Sequence, residues 1–501
     1  MSALLGRIPV LQQTGGDREI TGIHYDSRFC RPGSLFAALP GLQTDGHRFI
    51  PQALAAGAAA VLYSNPETPP DPRAAFIRTP DPRRALSLLA AAFYDDPSLS
   101  LKVAGVTGTD GKTSTVYLIH QLLQLKGFKS GFLSTAAVGL GEDIEKNPFH
   151  QSTPEAPEVH KFLHRAAQGG EFAVLETTSH GLSPLTGRLG DVHFTGAVFT
   201  NISHEHLEFH HSFENYLRDK TRLFEKAARG KGAFGVINRD DPHWRAFYEA
   251  GRRVNPGMVM ALYSRTDPAA DLYCRDIRSD DAGSDFTLAA GGRNLTGRIN
   301  IPGAFFVENA LAALLTAGAL TALGPEEFLP LLPRLKGVQG RMERISQGQP
   351  WRVILDYAHT PGAFERLLPD IRRSAEGRVI AVFGSAGERD RQKRPMLGAL
   401  ADRFCDVLIL ADEDPRGEEG MAILKEVAAG APGRREGEDL FLIPPRKEAI
   451  LKAFHLARRG DTVLLLGKGH ESSIIYADGP LPWDEGTAAR DCLGELGYQC
   501  S

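Results

Sequence analysis

The stretch LKVAGVTGTDGKTSTVYLIHQLLQLKG, residues 101–127, passes from an apolar strand pattern through a glycine-rich turn into a helix pattern. Backbone N–H groups at a helix N-terminus point outward with partial positive charge, so strand, glycine loop and helix in this order make a phosphate cradle. Lys112 is placed to neutralise the outer phosphates, and the Thr113 hydroxyl to ligate Mg²⁺. The loop is irregular. GxxxxGK[ST] requires glycine at position 106, where Val106 stands, and Gly108 opens a shorter GTDGKT turn instead. A plain strand-to-helix connection is the alternative use of such a turn.

The flanking sequence extends the same pattern. FAVLE, GAVFT and AFGVIN are strands separated by helical stretches, which implies a mainly parallel sheet covered by helices. The logic repeats in VILDYA, VIAVFG, DVLILADED and TVLLLGKG, with PMLGALADRF and RKEAILKAFHLARR as amphipathic helices between them. Upstream, short apolar runs such as SLFAAL and AAAVLY lie among Pro/Gly turns and end in RRALSLLAAAFYDDPS, a helix pattern whose DDPS is a linker. A chain of 501 residues exceeds one core, and these patterns divide it into 1–98, 99–336 and 337–501. Ligands bind at the carboxyl ends of parallel strands, so GSAGERD, DEDPR and GKGHE are expected to converge on one cleft.

Composition narrows the class. With 42% hydrophobic and 24% charged residues the chain is an ordinary globular one, not a disordered one. Lys plus Arg number 57 against 61 Asp plus Glu, so the basic footprint of a nucleic-acid binder is missing. The five cysteines are scattered without CxxC spacing, which argues against a disulfide framework or zinc knuckle and fits a reducing compartment. No basic start precedes a long apolar stretch, and no run of about 18 apolar residues occurs, so a cytoplasmic protein without a membrane span is expected.

Glu176 ends the strand FAVLE, a position suited to a carboxylate holding a metal or its water, although a surface acid fits there too. NISHEHLEFHH gathers His204, His206, His210 and His211 with Glu205 and Glu208. His206 and His210 are spaced to share a helix face, as metal ligands do. A zinc hydrolase fits poorly, because HExxH places its glutamate directly after the first histidine and HLEFH does not. Histidines that cap or solvate a helix start fit the stretch as well. Lys220, within NYLRDKTRLFEK, reads by itself as a solvated helix lysine.

GTDGKTS, ETTSHGLS, FTNISHEHLEFH, the lysine of YLRDK, GRMER, DYAHTP, GERDRQKRP, DEDPRGE and GKGHE, in this order and with an N-terminal YDSR, resemble the Mur ligase family. The resemblance implies an α/β protein of three domains: a small N-terminal UDP-binding domain, a central P-loop ATPase domain with a mainly parallel sheet, and a C-terminal Rossmann-like domain for the amino acid. It implies an ATP-dependent amide ligase of peptidoglycan precursor synthesis, monomeric and working with ATP and Mg²⁺. Its substrates are UDP-N-acetylmuramoyl-L-alanyl-D-glutamate and a free diamino acid: meso-diaminopimelate, lysine or ornithine. ATP phosphorylates the D-glutamyl side-chain carboxylate, and the amino group attacks the acyl phosphate.

Carried over by residue, Gly108, Thr109, Asp110, Gly111, Lys112, Thr113 and Ser114 match the ATP loop, and Asn309, Arg341, Asp356 and His359 the other nucleotide contacts. Glu176, His206 and Lys220, the last as an N-carboxylated lysine, join Thr113 around the metal, with His210 beside them. Ser27 matches the uridine-side contact, and Ser152, Thr153, Thr178 and Arg188 the contacts to the muramoyl peptide. Arg389, Glu413, Asp414, Pro415, Arg416, Gly467 and Glu471 match the amino-acid pocket, where the arginines suit a carboxylate and Glu471 an ammonium.

The sequence departs from the family at Phe306, where an asparagine is usual, and at Glu413-Asp414-Pro415-Arg416, where enzymes adding diaminopimelate carry DNPR. A bare charge on Asp414 would disfavour a distal carboxylate by about 1–4 kcal/mol at about 4 Å and favour lysine or ornithine. The retained Arg416 favours the opposite, so the diamino acid stays open. Folylpolyglutamate synthase, with the same ATP-driven chemistry, is the nearest alternative enzyme. An ATP-gated binding protein without catalysis is the alternative from another class.

Overall fold

The computed structural model describes residues 1–41, 44–149, 151–203, 207–280 and 282–499. Three sheets follow one another along the chain. In the first, Gly22–His24, Ser34–Ala37, Ala60–Tyr63 and Ala75–Arg78 lie side by side and parallel, and Gln12–Thr14 closes one edge antiparallel. The helix Pro82–Phe93 then leads into the DDPS segment, where Asp95 and Asp96 both take left-handed φ angles of 61° and 48°. Asp96 accepts from the Arg7 guanidinium at 2.6 Å, which pins this turn.

The second sheet has six parallel strands at its centre, in the order Val259–Ser264, Phe234–Asn238, Gly196–Phe199, Lys102–Thr107, Phe172–Glu176 and Ser130–Leu133. FAVLE, GAVF and FGVIN are buried at every position because helices cover both faces, which is why they read as unbroken apolar runs. From Lys102–Thr107 the chain crosses to Ser130–Leu133 on one side; from Gly196–Phe199 it crosses to Phe234–Asn238 on the other. The crevice of the sheet therefore opens between the carboxyl ends of these two neighbours, and the glycine loop leaves from that point.

Antiparallel additions extend both edges. Leu272–Asp280, Gly283–Ala290 and Arg293–Ile299 form a meander on one side, and Ala137–Leu140 with Asp143–Lys146 a hairpin on the other. Strands such as RNLTGRI are largely solvent-facing and carry few apolar residues, so the hydrophobic pattern does not announce them.

The third sheet runs Glu343–Ile345 (antiparallel), Arg352–Asp356, Thr462–Leu466, Val379–Phe383, Val407–Leu410 and Leu440–Leu442. Two fully buried arginines fix its carboxyl edge. Arg446 pairs with Glu485 at 2.6 Å and donates to the carbonyls of Asp412 and Leu466, tying two strand ends together. Arg394 holds Glu418 at 2.9 Å and Glu426 at 2.8 Å and donates to the Ala386 carbonyl, bracing the GERD loop. No single helix among the described residues is long and apolar enough to cross a membrane.

Candidate active site

The loop after Lys102–Thr107 needs its glycines. Gly108 and Gly111 have φ angles of +152° and +82°, and a Cβ on either would meet Thr200 Oγ1 at 1.9 Å or Asn309 Oδ1 at 2.5 Å. The neighbouring strand end holds the shortened loop in shape. Thr109 N–H donates to the Asn201 carbonyl (2.7 Å), Asp110 N–H to Asn201 Oδ1 (3.0 Å), and Asn201 Nδ2 returns a bond to the Asp110 carbonyl (3.0 Å). Lys112 Nζ, on the first residue of the helix Lys112–Leu125, is folded onto the Thr109 carbonyl at 2.7 Å.

Thr113 Oγ1 donates to Glu176 Oε2 at 2.8 Å, and the Thr135 N–H donates to the same oxygen at 2.8 Å. Glu176 is buried, so it is not a surface acid. A hydroxyl and a carboxylate side by side form an all-oxygen donor pair that suits a hard divalent cation such as Mg²⁺. His206, with His204 and Glu205, lies outside the described residues. The helix Leu207–His210 is a single turn ended by His211 at φ +63°, and His210 Nδ1 faces Asp219 Oδ2 at 3.2 Å.

Lys220 is not a solvated lysine. It lies in the helix Phe213–Ala227 with 2% exposure, donates to the Gly108 carbonyl, and sits 4.5 Å from the Tyr216 ring centre. Tyr216, Lys220, Leu223 and Phe224 make one buried helical stripe, so a lysine in an apolar stripe is the sequence feature that marks it.

A cleft lies between the second and third sheets. The loop from Thr109 to Ser114, Glu176 and Asn309 line one side; Arg341, Asp356 and His359 line the other. Asp356 accepts the N–H groups of Met342 and Ala358, each at 2.8 Å, so it orients the segment that carries Arg341. Burial raises its carboxyl above the ordinary range although Arg341 opposes this. Sequence reasoning passed over Tyr357 and Arg366. Tyr357 lines the cleft with the Arg341 guanidinium 4.4 Å from its ring centre, and Arg366 approaches Asp110 Oδ2 at 3.9 Å across the opening. Tyr357 lies within DYAHTP and Arg366 on the helix Pro361–Ser374 that follows it, and the motif's position at a strand end is the available hint. Phe306 lines the cleft on the side of Asn309, one turn earlier in the helix Phe305–Thr321.

Ser152 and Thr178 also border this cleft. Behind them Thr153 Oγ1 donates to the Glu176 carbonyl (3.0 Å), and Arg188 donates to Glu155 Oε1 (3.0 Å) and the Thr153 carbonyl (3.1 Å). Ser27 belongs to the first unit, is buried, and donates to Gln52 Oε1 at 2.8 Å, so it stands apart from the cleft lining. Burial and then the carboxylates of Glu158 and Glu155 raise the phenol of nearby Tyr25, which sets this segment beside the Arg188 group.

The loops GSAGERD, DEDPR and GKGHE meet at the edge of the third sheet. Gly387 N–H donates to the Asp414 carbonyl (2.8 Å); a Cβ on Gly387 would strike the Pro415 carbonyl oxygen at 1.9 Å; and one on Gly467 would lie 2.9 Å from Glu413 Oε2. Arg416, at φ +56°, anchors its N–H on the Ile475 carbonyl (2.9 Å). Arg389 is exposed.

The charge assigned to Asp414 needs correction. Fully buried Lys468 donates to Asp414 Oδ1 at 2.8 Å, the Ile475 N–H donates to the same oxygen at 2.9 Å, and Arg416 lies 3.9 Å from Oδ2. Asp414 is thus paired within the protein, with Lys468 shared between it and Glu471, and the bias it was expected to exert against a distal carboxylate is weakened. Glu471 is engaged as well, with Lys468 at 2.5 Å and the Tyr357 hydroxyl at 3.1 Å. The buried Glu413 Oε2, by contrast, has no hydrogen-bond partner among the described residues.

A phosphate loop on one α/β unit, facing a second such unit across a cleft and preceded by a third, defines an ATP-dependent enzyme of three α/β domains. Residues 19–94 match the Mur ligase family catalytic domain, 106–317 the Mur ligase middle domain, and 340–469 the Mur ligase glutamate ligase domain. The chain belongs to the Mur ligase family. It is 48% identical to a UDP-N-acetylmuramyl-tripeptide synthetase of Roseiflexus sp. (strain RS-1), covering 96% of each chain. It is 38% identical, with the same 96% coverage of both, to a UDP-N-acetylmuramoyl-L-alanyl-D-glutamate–2,6-diaminopimelate ligase of Syntrophomonas wolfei. A solved structure of a ligase with that activity in its name superposes with a TM-score of 0.63 at 30% identity over 96% of each chain.

Proposed function

We propose that this ligase joins a diamino acid to the D-glutamyl residue of UDP-N-acetylmuramoyl-L-alanyl-D-glutamate in the cytoplasm, using ATP and Mg²⁺. The observation that carries the reading is that the loop with Lys112, the Thr113–Glu176 pair and the segment with Arg341 and His359 line a single cleft. Its far wall includes Tyr357, which is bonded to Glu471 of the amino-acid loop.

The loop N–H groups cradle the phosphates, and Lys112 exchanges the Thr109 carbonyl for phosphate oxygens. Thr113 and Glu176, together with His206 and an N-carboxylated Lys220, would hold Mg²⁺, which would supply neutralisation of the phosphate charge. An oxygen of the D-glutamyl carboxylate bonds to the γ-phosphorus and the bond to ADP breaks. The amine then bonds to the activated carbon, phosphate leaves with the electron pair, and the amine proton is lost. Ser152, Thr178 and Arg188 hold the acceptor, Arg389 and Arg416 a carboxylate of the diamino acid, and Glu471 its ammonium, with Glu413 Oε2, unpartnered among the described residues, on the same group of loops. Fixing acid and amine side by side lowers the barrier by removing their freedom to diffuse apart.

ADP formation, followed with the UDP-muramoyl dipeptide and each of diaminopimelate, lysine and ornithine in turn, tests this. ADP is expected only when the acceptor and one of the three are both present. Nucleotide binding without ADP formation under every condition would contradict it.

A further inference from the structure

Asp414, Lys468, Glu471 and Tyr357 form a continuous chain of contacts from the amino-acid loops to the nucleotide cleft. Lys468 Nζ bonds to Asp414 Oδ1 (2.8 Å) and Glu471 Oε2 (2.5 Å); Glu471 Oε1 accepts the Tyr357 hydroxyl (3.1 Å); and the Tyr357 ring, itself cleft-lining, carries the Arg341 guanidinium. Burial disfavours the Lys468 ammonium, but Glu471 and Asp414 outweigh burial and hold its pKa above the ordinary lysine value.

The backbones along this chain are in direct contact. Gly340 and Gly469 have φ angles of +72° and +47°; a Cβ on Gly340 would lie 2.3 Å from the His470 nitrogen, and one on Gly469 would lie 2.7 Å from Tyr357 Cβ. GKGHE is therefore packed without slack on GRMER and DYAHTP. A displacement of Glu471 reaches Tyr357 through one hydrogen bond, and Arg341 through one further ring contact.

We propose that Lys468 and Tyr357 are positioning residues that couple the amino-acid site to the nucleotide site through Glu471. Lys468 holds the Asp414 and Glu471 carboxylates together and is fully buried, so its ammonium serves the pocket and not the substrate. An arriving ammonium joins Lys468 and the Tyr357 hydroxyl on the Glu471 carboxylate that they hold in place, and the Tyr357 hydroxyl passes that contact to the cleft. By linkage, nucleotide in the cleft changes affinity for the amino acid by the same factor. The inference rests on the ligase reading above.

Tyr357→Phe removes only the hydroxyl and keeps the ring under Arg341. With the diamino acid that supports the fastest ADP release, its KM for the amino acid is expected to rise about tenfold, as for loss of one hydrogen bond to a charged group. Its affinity for ATP without amino acid should stay within about twofold, the range of independent sites, while at saturating amino acid its KM for ATP should rise by the same factor as its amino-acid KM. Lys468→Met should raise the amino-acid KM at least as far, and combining the two should add nothing further, since both act through Glu471. Titration with a non-hydrolysable ATP analogue, with and without the diamino acid, should show mutual dependence in the wild type that Tyr357→Phe removes.

A Tyr357→Phe variant that leaves the amino-acid KM unchanged, raises only the ATP KM, or keeps the wild-type dependence between the ligands would overturn the coupling. Tyr357→Phe decides the matter even if Lys468→Met fails to fold in a thermal scan. A wild type inactive with all three amino acids would instead refute the ligase reading.

Discussion

Lys112→Met is expected to lower kcat for ADP formation by about 10²- to 10³-fold, the scale for deleting one preorganised charge stabiliser in a transition state. The side chain bonds to the carbonyl of its own loop, so its loss opens no hydrophobic core. Loop shape is held instead by Gly108, Gly111 and the Asn201 amide, all untouched by the substitution. The variant should therefore unfold at the wild-type temperature and still bind the UDP-muramoyl dipeptide. Single-turnover ADP formation together with a thermal scan checks both parts. A folded Lys112→Met enzyme with a near-normal rate would mean that the loop does not cradle the phosphate being transferred.

Lys220→Ala is expected to lower ligation by about 10²-fold or more, the upper end of the range for groups that build a metal site. A short-chain carboxylic acid such as formate or acetate should restore activity with dose. As a free amine Lys220 is a cation hydrogen-bonded to the Gly108 carbonyl, 4.5 Å from the Tyr216 ring centre. N-carboxylation converts it to an anion while leaving one N–H for the same bond, and only the anion suits a cation held by Thr113 and Glu176. Steady-state rates across a carboxylate titration separate the possibilities. Loss of activity without rescue would reduce Lys220 to a prop beneath the loop, and full activity in its absence would exclude both roles.

How far the sequence could be read depended on where each residue's partners come from. Strands such as VLIL and TVLLL are covered on both faces, so their composition alone identifies the parallel sheets. Leu272–Asp280 and Arg293–Ile299 are buried at only a few positions and stay silent in the same pattern. The phosphate loop was legible because its chemistry is local: glycines, lysine and threonine sit within one turn. Lys220 was misread because its neighbours Arg218, Asp219 and Arg222 are polar, although its spacing from Tyr216, Leu223 and Phe224 places it in the buried stripe.

Asp414 was misjudged for a different reason. Its charge is paired with Lys468, which lies on a loop 54 residues away, and only the sheet order brings the two together. The same distance hides Arg446 and Glu485, whose buried pair fixes the strand ends under the amino-acid loops.

Activation of a carboxylate by phosphoryl transfer can be followed in the oxygen atoms themselves. If both oxygens of the D-glutamyl side-chain carboxylate of the UDP-muramoyl dipeptide are replaced by a heavy isotope and the substrate is turned over with ATP and the accepted diamino acid, mass spectrometry of the released phosphate reports where they go. An acyl phosphate requires one heavy oxygen in each phosphate, in step with amide formation. Unlabelled phosphate released alongside the amide would contradict it.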